Sequence, residues 1–178
     1  MFIINFLKKF ISFFINNVLI LGKTKFIFYM EVIFMINDDT IKLLKECNAG
    51  IKMGVSSLTD VMDHVKNDNF KKVLLTCKEE HEHLGNETHK LLNEYHDSGK
   101  EPNPMAKSMS FIKTNFQLAV NDSDKTIADL ITDGCNMGVK SLSRYLNQYK
   151  AAEEKVKNIT KNLIKSEEQL VINIREYL

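Results

Sequence analysis

Tryptophan is absent from this 178-residue chain, and only two prolines and seven glycines interrupt it. That scarcity excludes collagen-like and Pro/Gly-rich disordered classes and leaves long helices free to run. Pro102 and Pro104 stand together, so one linker carries most of the helix-breaking chemistry. An excess of either charge is lacking too: 24 basic residues face 23 acidic ones, for a net +1 at pH 7. No global field draws such a chain to nucleic acid, which argues against a dedicated nucleic-acid binder. Cysteine is scarce and odd in number, and Cys47, Cys77 and Cys135 lie far apart in helical patterns with no disulfide framework. A reducing, cytoplasmic setting is the expectation.

Alanine is missing before Ala49, whereas eight of the eleven phenylalanines fall in residues 1–36. Those residues carry Lys8, Lys9, Lys23 and Lys25 against Glu31, a net +3 that leaves −2 for residues 37–178. A membrane-spanning helix needs about 20 apolar residues. Phe10–Gly22 is broken by Asn16 and Asn17, Phe26–Ile36 contains Glu31, and neither stretch is long enough alone. A small-x-small cleavage site does not follow Leu21. Phe/Ile/Asn/Lys-rich text is what AT-rich non-coding DNA yields in translation, so initiation is expected at Met35 or Met30. Residues 1–36 are then an extension and 37–178 the domain. The alternative is a membrane anchor, which would make the domain membrane-associated.

From Asn37 onward the periodicity is helical. Asn37, Asp38 and Asp39 offer N-caps, and Leu43, Cys47, Gly50, Gly54, Leu58, Val61 and Val65 recur at three- and four-residue steps. Lys66–Asn69 makes a tight return. A second helix runs to about His96 with the seam Phe70, Leu74, Cys77, His81, Leu84, Thr88, Leu91, Tyr95. After the proline linker, Met105, Met109, Ile112, Phe116 and Val120 form a short amphipathic crossover helix. Two long helices follow, about Asp124–Lys150 and Ala152–Tyr177. The connection Ser98–Asn121 is long enough to return along the bundle, so helices two and three are expected to run parallel.

The chain also repeats itself. Gly50–Leu58 matches Gly134–Leu142 at an offset of 84, with six of nine positions identical. Cys77, His81, Glu82 and Leu84 fall on Leu163, Glu167, Glu168 and Leu170 at an offset of 86. Two hairpins related by an approximate two-fold axis would therefore put His81 level with Gly54, and Glu167 level with Gly138. Mid-helix glycine costs about 1 kcal/mol relative to alanine, so Gly50, Gly54, Gly134 and Gly138 need a reason: close packing is the expectation, and a functional pocket the alternative.

Glu80-His81-Glu82-His83-Leu84, the linker to Pro104, the crossover Met105–Val120, Gly134–Leu142 and Leu163–Leu170 together resemble small bacterial ferritin-like families of unknown function. The resemblance implies an all-α, ferritin-like four-helix bundle. Ferritin-like di-metal sites use a Glu from two helices and a Glu-x-x-His from the other two. Here Glu80-x-x-His83 puts His83 about 200° from the seam, Glu168 is followed by Val171 instead of histidine, and Gly54 and Gly138 stand where carboxylates belong. Di-iron chemistry is therefore not expected.

What faces inward is His81 with Glu167, flanked by Cys77, Cys135, Met53 and Met137. One reading makes the pair a core ion pair. The other makes His81, Glu167 and Cys77 ligands of a metal ion in a redox-responsive site. The cluster Lys78–His89 reads as a solvated face, with His89 and His96 exposed. Phosphate loops and nucleophile elbows are absent, so no enzyme activity is indicated. The functional expectation is a binding or interaction module with a protein partner or a second copy of itself.

Overall fold

A computed structural model describes the backbone of residues 2–102 and 123–178, and the side chains of residue 25 and of those from 27 onward within these stretches. Every described element is helical: α1 (Phe2–Met62), α2 (Asp68–Glu94), α3 (Asp124–Gln148) and α4 (Glu154–Asn173), followed by a 3-10 turn at Arg175–Tyr177. The expected crossover helix, Met105–Val120, lies outside the described residues.

The chain divides into two units, Met1–Asp38 and Asp39–Leu178. In the first, Ile27, Phe28, Tyr29, Met30, Ile33, Phe34 and Met35 are all exposed. Four consecutive apolar side chains, 27–30, point all round the helix, so no single stripe is formed. Among the described residues, no helix is long and apolar enough to cross a membrane.

The second unit is a four-helix bundle. The expected N-cap at Asn37–Asp39 is not a helix start, since α1 continues through it. Asp39 and Thr40 instead serve the turn between α3 and α4: Asp39 Oδ2 accepts from the Ala151 amide at 2.9 Å, and Thr40 Oγ1 from the Glu153 amide at 3.0 Å. Glu153 is the N-cap of α4 and makes no side-chain cap of its own. A hydroxyl from α1 thus meets a donor that α4 leaves bare.

At the other end, Asn67 caps α2 and accepts from the amides of Asn69 and Phe70. Ser123 caps α3 through the Thr126 amide. Asp124 reaches back to the α1–α2 turn, accepting from the amides of Lys66 at 2.8 Å and Asn67 at 2.9 Å. α2 and α3 therefore start at one end of the bundle, and Tyr95, just past the end of α2, donates to Glu153 at the opposite end at 2.7 Å. The two helices run in the same direction, and α4 packs against both.

The interior holds two apolar clusters. One joins Leu43, Leu44, Cys47 and Ile51 to Leu84, Leu91, Leu92, Leu142, Val156, Ile159 and Leu163. The other joins Leu58, Val61 and Val65 to Phe70, Leu74, Ile127, Ala128, Ile131, Leu170 and Ile174, and Phe70 stacks on Tyr177 at 4.4 Å. Each fully buried Leu, Ile or Phe contributes roughly 1.5–3 kcal/mol. The α2 seam is buried as its period predicts, except that Tyr95 is only half-buried and Leu92 takes the interior position. Every helix passes from one cluster to the other through one residue of a central layer: Gly54, His81, Gly138 and Glu167.

Candidate functional site

The helical repeat brings these four residues together. His81 is 2% exposed and Glu167 7%. A Cβ added at Gly54 would stand 2.9 Å from His81 Cδ2 and 3.2 Å from Nε2. One added at Gly138 would stand 2.7 Å from Glu167 Cδ and closer still to both carboxylate oxygens. Both glycines are therefore required by the side chains opposite them.

The other two glycines of the repeat correct the close-packing expectation. Among the described residues, a Cβ at Gly50 or Gly134 would meet nothing within 4 Å. Both line a cavity of about 400 Å³ inside the second unit, whose wall also includes Met53, Ser57, Cys77, His81, Cys135 and Glu167. Their missing side chains leave space where none is taken up by a neighbour. The cavity extends to Lys100 and Pro102, where Lys100 pairs with Glu46 at 2.7 Å. Gly99 holds that segment in a positive-φ turn at +83°, with Asn48 too close for any side chain.

The imidazole is oriented by its own helix. Nδ1 lies 2.9 Å from the Cys77 carbonyl and donates to it, which turns Nε2 toward Glu167 Oε1 at 3.8 Å. At that separation the contact is an ion pair longer than a hydrogen bond. Burial alone would depress the His81 pKa, but Cys77 and the Glu167 carboxylate outweigh it and hold the value up at about 10. Burial raises Glu167 above the usual carboxylate range, opposed by His81. Glu167 Oε2 is buried with no hydrogen-bond partner among the described residues. A carboxylate oxygen in that condition is costly unless something donates to it.

Cys77 stands beside the ring nitrogen opposite the one that faces Glu167. Its Sγ lies 3.5 Å from Nδ1, the ring nitrogen turned away from Glu167, and 3.8 Å from Ser166 Oγ. Among the described residues, no three His, Cys, Asp or Glu side chains converge on a point that could hold a metal ion. Cys135 reaches the cavity, but burial and the nearby Glu167 push its thiol up. Cys47 is likewise pushed up to about 12 by burial, opposed by its hydrogen bond with Thr160. A thiol held protonated is a poor nucleophile and a poor redox sensor.

Glu80, His83 and Glu168 are exposed, as their wheel positions predict, and Glu80 accepts from Ser166 at 2.6 Å. His89 and His96 are exposed too. Met53 is half-buried on the cavity wall, while Met137 is largely exposed at its edge. The sequence favours packing over a pocket at the four glycines, and it does not tell which two of them, Gly50 and Gly134, line the cavity. Comparison with protein-family models, curated proteins and solved structures yields no match.

Proposed function

We propose that this chain is a ferritin-like bundle of two pseudo-symmetric hairpins that acts as a binding module, taking a small molecule into the cavity beside His81 and Glu167. The carrying observation is the glycine repeat: in each hairpin one glycine admits a buried polar side chain and the other, four residues earlier, opens space next to it. Small-molecule sites are largely apolar cavities of about 300–1,000 Å³ with a few polar groups, and this cavity falls in that range. Gly54 and Gly138, which face His81 and Glu167, occupy the places where a di-metal site would need carboxylates, so the layer serves binding without di-iron chemistry.

Naphthalene titrated into the full chain, followed by its fluorescence, tests the proposal. Saturable binding near one molecule per chain is expected, with loss in Gly50→Leu, whose side chain grows into open space without touching the pair. Equal binding by the full chain and by Gly50→Leu would overturn it, as would no binding by either.

A further inference from the structure

We infer that the ligand of this cavity is an apolar molecule bearing a hydrogen-bond donor, a hydroxyl or N–H, that is received by Glu167 Oε2. The inference rests on the binding-module reading above and adds the chemistry of recognition to it.

Oε2 is one of two buried side-chain oxygens or nitrogens among the described residues without a hydrogen-bond partner, the other being Thr132 Oγ1, which does not line the cavity. Glu167 does line it. Among the described residues no group bonds to that oxygen, and the protonated Cys135 thiol on the same wall, though near Glu167, makes no hydrogen bond to it. His81 Nε2 faces Oε1 instead, Nδ1 is committed to the Cys77 carbonyl, and Gly138, closest of all to the carboxylate, has no side chain. Ser166, the next residue on α4, donates to Glu80 on the outer face.

The rest of the wall fixes the apolar part. Met53, Leu58, Val61, Ile131, Leu142 and Leu170 contribute hydrocarbon or thioether to it. A donor-free hydrocarbon would fill the space yet leave Oε2 bare, whereas a molecule with one donor would fill it and satisfy that oxygen. Hydrogen bonds to a charged acceptor are worth enough to separate two such ligands by roughly tenfold or more.

The experiment compares 2-naphthol with 2-methoxynaphthalene, which has the same ring and no donor, by calorimetric titration into the full chain. Expected is at least tenfold tighter binding of 2-naphthol, with the two ligands equalised in Glu167→Met and both lost in Gly50→Leu. If both bind with equal affinity to the full chain and both are lost in Gly50→Leu, the cavity reading stands and the assignment to Glu167 is overturned. If neither binds the full chain, both readings fall together. The wild-type comparison needs no variant, so it decides the matter even where Glu167→Met does not fold.

Discussion

Gly54 and Gly138 differ from Gly50 and Gly134 in what faces them, although sequence spacing makes the two pairs look alike. The first pair stands against a buried imidazole and a buried carboxylate, and a Cβ there would force the side chain opposite to shift. Among the described residues, the second pair faces no neighbour and lines the cavity. A Gly-x-x-x-Gly step in a helical bundle can thus do two unrelated jobs one turn apart. The penalty for mid-helix glycine is offset by polar packing at one position and remains uncompensated at the other, which is what a position kept for an incoming molecule would show.

The largest effect should come from removing one member of the buried pair that the tight glycines accommodate. His81→Leu leaves Glu167 without its counter-charge and should destabilise the bundle by about 3–5 kcal/mol. The double variant His81→Leu/Glu167→Met should recover most of that loss, as measured by urea unfolding. A double variant no more stable than the single would show that the pair does more than neutralise itself.

Next in size is the pH dependence. The pKa of His81 is raised from 6.5 to about 10, so its contribution is complete below pH 6.5 and disappears as pH climbs toward 10. Glu167 is also raised, which acts in the same direction above its ordinary value of 4.5. On account of His81, unfolding free energy should therefore fall between pH 6.5 and 10, at no more than about 1.4 kcal/mol per pH unit, while the loss from Glu167 begins above 4.5. In the double variant this slope should flatten, and a slope that survives there would place the titration elsewhere.

Alanine at the four glycines then separates the two pairs directly. Gly138→Ala should destabilise by about 1–3 kcal/mol, because the carboxylate must move while still facing His81. Gly54→Ala should destabilise less, although the ring is tethered through Nδ1 and cannot swing far. Gly50→Ala and Gly134→Ala should instead stabilise by up to about 1 kcal/mol from helix propensity alone. Thermal melts of the four variants read the sign at each position, and a uniform sign would erase the distinction between tight and open glycines.

Periodicity made the helices and the α2 seam legible, and the internal repeat made the central layer legible, because spacing along a helix translates directly into height and face. The repeat alone puts His81 opposite Gly54 and Glu167 opposite Gly138. Three features were not legible. The role of Asp39 and Thr40 depends on which turn lies beside them, and capping patterns read only their own helix. The separation of Cys77 from the His81–Glu167 contact depends on which ring nitrogen turns toward Glu167, and one-letter text does not carry ring orientation. The unpartnered Oε2 is a property of a whole neighbourhood, as is the space in front of Gly50 and Gly134.

The ties at the two ends of the bundle bear on how it comes apart. The α1–α2 turn gives its Lys66 and Asn67 amides to Asp124, and the α3–α4 turn gives its Ala151 and Glu153 amides to Asp39 and Thr40. Each half of the chain supplies acceptors that close the turn of the other half. Neither turn can fray on its own without forfeiting contacts made by residues 57 to 113 positions away in sequence, so opening at either end is coupled to separation of the halves. A bundle interlocked this way loses its structure in one cooperative step, with its turn amides protected from exchange about as well as those of its core.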